Sequence, residues 1–297
     1  MRGNSIRKST GEKTFEFFNA CFMVLVCFVT VYPFINTLAI SFNEGMDALR
    51  GRIYFFPRKF TLQNYETVFS EKEIINGYFI TVSRTILGII STVFFTGILA
   101  YGLSKKNLVG RSIYLKLCVV GMIFNAGLIP TYMLYKELGL LNNFLVYIIP
   151  SCVNIWYMIL MKTYFEQLPQ EIEESAMLDG CSTMKIFLRI VIPMSAPIIA
   201  TICIFTGVYH WNSWFDAYVF IHDNKLHPIQ AYLYRAITLA QTATQDPSQA
   251  QLLERIKINV VTVQAATVII TTVPIVFIYS LFQKHFIKGV MIGALKG

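Results

Sequence analysis

Residues 168–197 read LPQEIEESAMLDGCSTMKIFLRIVIPMSAP. Pro169 suits the first turn of a helix, where its missing N–H costs nothing, and Glu171, Glu173 and Glu174 favour that positive end. Gly180, just after Asp179, is a stop signal, because glycine enters the left-handed cap without strain. The pattern predicts a short helix of about three turns, with Ile172, Ser175 and Ala176 close to one face and acids beside them. A helix with such a face fits a groove on another protein. A second amphipathic segment follows, apolar at Met184, Phe187, Leu188 and Val191 and basic at Lys185 and Arg189, and leads to Pro193 and a long uncharged run.

Uncharged runs of that kind recur outward from this loop in both directions. Residues 17–43, 85–104, 117–135, 138–161, 190–215 and 258–283 carry no Asp, Glu, Lys or Arg. Each is long enough for the roughly 20 residues that a helix needs to cross a hydrocarbon core of about 30 Å. The chain as a whole is 55% hydrophobic and 14% charged, against about 25% charged in a soluble domain. No segment shows the ten-residue alternation of a barrel strand, and an open sheet leaves its backbone unsatisfied in lipid. The expected fold class is therefore all-α, a polytopic membrane protein of six spans at about 15–40, 78–104, 113–135, 143–161, 190–215 and 258–283. A short N-terminal segment (1–14) and a tail (291–297) flank the six-helix transmembrane domain (15–290), and the loop 162–193 lies within it.

Charge orients the chain. The segments on the side of the N-terminus hold 14 Lys and Arg; the opposite side holds 10, spread over much longer loops, and Arg84 lies inside a run. By the positive-inside rule both termini are expected in the cytoplasm, and with them the loop at 162–193. The apolar run after Arg2, Arg7, Lys8 and Lys13 is too long for a cleaved signal peptide, so an uncleaved first helix is expected. The net charge of +8 then reflects orientation, since no basic cluster with interleaved aromatics suggests nucleic acid. Five of the six cysteines fall inside the spans and Cys181 in the inner loop, so neither disulfides nor a metal site are expected; His210, His222, His227 and His285 lack ligand spacing.

The order Glu174-Ser175-Ala176, three residues, Gly180, nine residues, Ile190, one residue, Ile192-Pro193 resembles the EAA loop of ABC importer permeases. That pattern is E-A-A, three residues, G, nine residues, I, one residue, L-P; Ser175 and Ile192 depart from it while keeping size or apolarity. Asn64-Tyr65, AYGLSKK at 100–106, IPTYMLYKELGLLNN at 129–143, WNSWFDA at 211–217 and the closing KGVMIGALKG are similar to carbohydrate-importer permeases of the MalG and LplC type. The resemblance implies a type I importer permease fold whose loop sits in a cleft of a nucleotide-binding subunit. Glu174, Ser175, Ala176, Asp179, Gly180, Ile190 and Pro193 are then the residues of ATPase coupling. It also implies the partners: a second, homologous permease, two copies of an ATPase that binds ATP and Mg, an extracytoplasmic solute-binding protein docking on the outer loops, and an oligosaccharide substrate. No cofactor is expected on this chain itself.

Sugars are recognised by aromatic faces and amide groups, and polar groups inside spans face a bundle interior or a wet path. Asn125, Asn154, Trp156, Trp211, Asn212 and Trp214 are therefore candidates for the substrate path. The tryptophans equally suit an interfacial aromatic belt and the asparagines equally suit interhelical hydrogen bonds. Arg84 has three readings: snorkelling to the interface, pairing with an acid such as Asp216, or attracting a uronate carboxylate. No G-x-x-x-x-G-K-[ST], H-E-x-x-H or G-x-S-x-G occurs, so ATP hydrolysis, zinc proteolysis and hydrolase chemistry are not expected here. An ion-coupled secondary transporter is the competing class, disfavoured because the acids lie in loops. A permease for a non-sugar solute is the alternative within the importer class.

Overall fold

The structure, a computed structural model, describes residues 9–48, 50–124, 126–243 and 261–277. Among these no strand forms; the nearest approach to one is a single antiparallel bridge between Asn43 and Phe60. The chain divides into two compact units, 1–70 with 236–270 and 71–235 with 271–297.

The first unit is built on helix α1 (Thr10–Ser41). It begins at a capping box in which Glu12 N donates to Ser9 Oγ at 3.2 Å and Ser9 N donates to Glu12 Oε2 at 2.8 Å. Its most apolar stretch is entirely unburied within this chain, as suits a helix meeting lipid or another protein. The following segment folds back through polar contacts. Asn43 Oδ1 accepts the backbone N–H groups of Arg58 and Lys59 at 2.8 and 2.9 Å. Asp47, on a one-turn helix (Gly45–Ala48), accepts from the Asn43 amide at 3.0 Å and from Arg58 Nε at 2.9 Å. These donors, the Asn43 amide foremost, hold the Asp47 carboxyl below its ordinary pKa. Helix α2 (Gln63–Ser70) supplies Asn64, buried, whose amide donates to the carbonyls of Ser41 and Asn43 and whose oxygen accepts from Thr262 at 2.8 Å.

The second unit is organised around α3 (Lys72–Ser104), which packs on α6 (Ile155–Phe165) and α9 (Ala196–Asn212). Small residues let the helices approach: a Cβ at Gly88 would lie 2.2 Å from His210 Nε2, and one at Gly97 would meet Met161 Cε at 3.1 Å and Phe187 Cζ at 3.2 Å. Between them lie α4 (Arg111–Ile123), α5 (Leu128–Glu137), α7 (Gln170–Leu178) and α8 (Thr183–Met194). Further on are α10 (Phe215–Phe220) and α11 (Ile229–Ala243), and Val261–Phe277 is α12. One apolar cluster joins Ala100, Tyr101, Met158, Met161, Phe165, Ala176, Ile186, Phe187, Val191 and Ile202; a second joins Ile80, Val146, Tyr147, Ala217, Phe220 and Ile221.

Three of the runs read as single spans are broken. Over 143–161 the chain begins as two 3₁₀ turns, Phe144–Tyr147 and Ile149–Ser151, and meets α6 at 45°. Pro150 has no N–H to give, and the backbone groups left open at the break just after it find partners on α3. Thr92 donates to Ser151 O at 2.8 Å, Thr96 donates to Cys152 O at 3.2 Å, and Asn154 N donates to Thr96 Oγ1 at 3.2 Å. Over 190–215, α8 and α9 meet at 86° around Ser195, flanked by Pro193 and Pro197, and Phe187–Val191 forms a π-helical turn just before. The run 113–135 is likewise divided into α4 and α5. Among the described residues, α1 and α3 are by themselves long and apolar enough to cross a membrane, and the number rises to five if each bent pair is one span. The run 258–283 is described from Val261 to Phe277 as helix. The tail at 291–297 and most of the glutamine-rich stretch at 240–251 lie outside the described residues.

Candidate functional site

Two regions of the second unit combine polar side chains with access. The first is the loop at 168–197. Helix α7 starts directly after Pro169, carries Glu171 and Glu173 in its first turn, and ends where Gly180 takes φ +77°. Its two faces differ. Glu171, Glu174, Ser175 and Leu178, spaced i, i+3, i+4 and i+7, are all exposed, Leu178 at 90%. Ala176 instead turns inward, 8% exposed, against the cluster around Tyr101 and Phe187. The acids also divide. Glu173 accepts from the Tyr101 hydroxyl at 2.8 Å and pairs with Lys105, whereas Glu174 and Asp179 stand exposed beyond it. Ile190 packs against the same cluster as Ala176, and Pro193 is exposed.

The second region is a cleft of about 350 Å³ beside the break at 152–154. Tyr135, Tyr147, Tyr157 and Tyr209 give it aromatic walls, and Thr92, Ser151, Asn154, Thr206, His210 and Asp216 give it polar atoms. Ser151 Oγ lies 3.3 Å from His210 Nε2, while His210 Nδ1 and Thr206 Oγ1 are buried without a partner among the described residues. Behind the wall is Arg84, which is 0% exposed. Its guanidinium forms a fork on Asp216, with Nη1 at 3.3 Å from Oδ1, donates to Ser213 O at 3.3 Å, and lies 4.1 Å from the centre of the Tyr147 ring. Of the three readings of Arg84, the structure therefore places it in the pair with Asp216, and its charge faces neither the interface nor an open path.

The other residues singled out for the substrate path scatter. Asn154 reaches the cleft, yet its side-chain oxygen accepts from Tyr157 N at 3.0 Å and so starts α6. Trp156 is 54% exposed and does not line the cleft. Trp211 is buried, with Nε1 donating to Thr271 O at 3.1 Å. Asn212 donates back to Val208 O within its own helix, and Trp214 stacks on Tyr234 at 3.8 Å between ring centres. Asn125 lies outside the described residues. Sequence reasoning missed the four tyrosines. The available signal was their recurrence in runs without any charged residue, where a buried hydroxyl needs a polar partner.

The chain matches the family model described as "Binding-protein-dependent transport system inner membrane component" over residues 77–292. It is 35% identical over 295 residues to Protein LplC of Bacillus subtilis (strain 168), covering 99% of each chain. It is 33% identical over 276 residues to the polygalacturonan/rhamnogalacturonan transport system permease protein YtcP of the same organism, covering 93% of this chain and 96% of that one. Among solved structures, a chain of a bacterial ABC transporter involved in the import of the acidic polysaccharide alginate matches with a TM-score of 0.86 at 28% identity, over 95% of this chain and 100% of that chain. The family match spans both the loop at 168–197 and the cleft, and the chain belongs to the binding-protein-dependent transport system inner membrane components, the ABC importer permeases that its loop resembles.

Proposed function

We propose that this chain is one of two permease subunits through which an ATP-driven importer moves an oligosaccharide across the bacterial cytoplasmic membrane. The observation that carries the reading is the division of α7 into a face anchored on its own spans and an exposed face of Glu171, Glu174, Ser175 and Leu178. A short helix so presented has the form of a plug for a groove on another protein. The partner for that groove is a nucleotide-binding ATPase, which supplies ATP, Mg and the hydrolytic chemistry; this chain is a transport subunit. One loop of this kind serves one ATPase copy, so a second, homologous permease completes the pair. Ala176 and Ile190 then shape the loop from within and Pro193 stands at the break that follows it, while Glu174, Ser175, Asp179 and Gly180 meet the ATPase.

Counting each bent pair as one span and adding α12 yields six spans, with both termini and the coupling loop in the cytoplasm as the charge bias requires. The outer loops, with Arg58 and Lys59 on the first, receive a solute-binding protein. The carbohydrate assignment draws on the relative named for polygalacturonan/rhamnogalacturonan transport, on the similar structure from an alginate importer, and on the tyrosine-walled, hydroxyl-bearing cleft, whose surfaces suit the faces and edges of sugar rings. Closure of the ATPase dimer displaces α7, and the bent spans, hinged at Ser195 and at 152–154, reopen the path toward the other side.

Two substitutions test the coupling role. Glu174→Lys reverses charge on the exposed face, and Gly180→Pro forbids the positive φ that ends α7. In the reconstituted importer both are expected to leave capture of sugar by the binding protein intact and to abolish the stimulation of ATP hydrolysis that transport requires. Normal stimulated hydrolysis in both variants rejects the assignment.

A further inference from the structure

The acids of α7 are three in a row of four, Glu171, Glu173 and Glu174, and only Glu173 is turned into the chain. Its carboxylate, with its side chain 13% exposed, accepts from Tyr101 Oη at 2.8 Å and pairs with the ammonium of Lys105. That ammonium lies 4.1 Å from the centre of the Tyr101 ring, so the three groups close on one another. Tyr101 is itself 5% exposed and held by Phe187 and Phe165, with ring centres at 5.3 and 6.4 Å. The cluster therefore touches the end of α3, the end of α6, α7 and the π-helical turn of α8 at once.

The polar contacts continue from there. Arg111 Nε donates to Leu103 O at 2.8 Å, tying α4 to the end of α3, and its Nη2 pairs with Glu166, which also accepts from Lys162 Nζ at 2.9 Å. A belt of contacts thus joins the coupling helix to the ends of three spans. Exposed ion pairs contribute little; these carboxylates are mostly shielded, and each has two donors. A helix of nine residues has no stability of its own in water, so what fixes α7 relative to α3 is this belt and the burial of Ala176.

We infer that Glu173 is a positioning residue that clamps the coupling helix to the end of α3 through Tyr101 and Lys105, so that α7 and α3 move as one body when the ATPase closes. The inference rests on the coupling role proposed above for α7. It assigns opposite duties to adjacent acids: Glu174 faces the ATPase, and Glu173 passes the displacement to the spans. Lys105 and Tyr101 share that duty.

The test uses the assembled importer in lipid, with the native cysteines replaced by serine and spin labels at Leu178 on the exposed face of α7 and at Leu99 on the exposed side of α3. The distance between them is read by pulsed electron resonance without nucleotide and after trapping with ATP, Mg and vanadate. The unsubstituted belt is expected to give no shift on trapping. Glu173→Ala is expected to give one, and the exchange Glu173→Lys with Lys105→Glu to remove it again. Lys106→Gln, exposed and outside both the belt and the docking face, should leave the distance unchanged.

A purely structural role for Glu173 predicts broader distances in both states alike, with no dependence on nucleotide, and that outcome overturns the inference. So does an unaltered distance in Glu173→Ala when the ATPase is trapped normally. Failure of the coupling reading itself looks different: the label at Leu178 then keeps the same mobility whether or not the ATPase is bound.

Discussion

Replacing Arg84 by Met is expected to destabilise the protein by about 3–5 kcal/mol, the range for removing one partner of a buried ion pair. Asp216 would keep Ser213 Oγ at 3.0 Å and Ala217 N at 2.9 Å as donors but would lose its only countercharge among the described residues. The Tyr147 ring would lose the cation against its face at the same time. The double change Arg84→Met with Asp216→Leu should recover most of the loss, because two apolar groups need no countercharge. Thermal unfolding of the detergent-solubilised importer measures both. Equal losses in the single and double variants would show that the unpaired charge left on Asp216 is not what destabilises the single variant.

Gly88→Val should be damaging for a steric reason. A Cβ at position 88 falls 2.2 Å from His210 Nε2 and 2.3 Å from its Cδ2, and the His210 ring is buried on all sides. The ring must be forced out of place toward the cleft it lines, or α3 and α9 must separate, at a cost of roughly 1–3 kcal/mol by analogy with overpacked cores. His210→Ala combined with Gly88→Val should restore part of the stability. Gly102 is the internal control: nothing lies within 4 Å of a Cβ built there, and Gly102→Ala, in the last turn of the same helix, should be neutral or stabilising by up to about 1 kcal/mol. If Gly88→Val and Gly102→Ala melt alike, the close approach of α3 and α9 at His210 is not tight.

The legibility of the chain follows the physics of each segment. Helix α7 was readable because its stop and start are single-residue signals: Pro169 before it, Gly180 at φ +77° after it. The apolar runs were readable by length alone, which finds a span and says nothing of its interior. A segment apolar on every side has no face to betray its packing, so the 45° break after Ser151 and the 86° break at Ser195 were invisible, although Pro150, Pro193 and Pro197 stood in the sequence. What makes the first break tolerable is Thr92 and Thr96 on α3, nearly sixty residues away in the chain.

The same limit applies to the site. Arg84 was conspicuous as a charge in an apolar run, but choosing among its readings required Asp216, 132 residues on, to be seen beside it. Spacing grouped Ala176 with Ser175 and Ile172, yet the face that Ala176 occupies is set by Tyr101 and Phe187, residues of other helices. Glu171, Glu173 and Glu174 are chemically alike, and the neighbours on α3 alone distinguish the one that turns inward. Tryptophans drew attention as sugar platforms, whereas the cleft is walled by tyrosines.

The most direct test of the central claim is affinity purification of the tagged chain from its native membrane, with mass spectrometry and an ATPase assay on the product. The account predicts co-purification of a second permease, an ATPase and a solute-binding protein, with hydrolysis stimulated by the loaded binding protein. Recovery of this chain alone, together with gradient-driven uptake in liposomes, would contradict it.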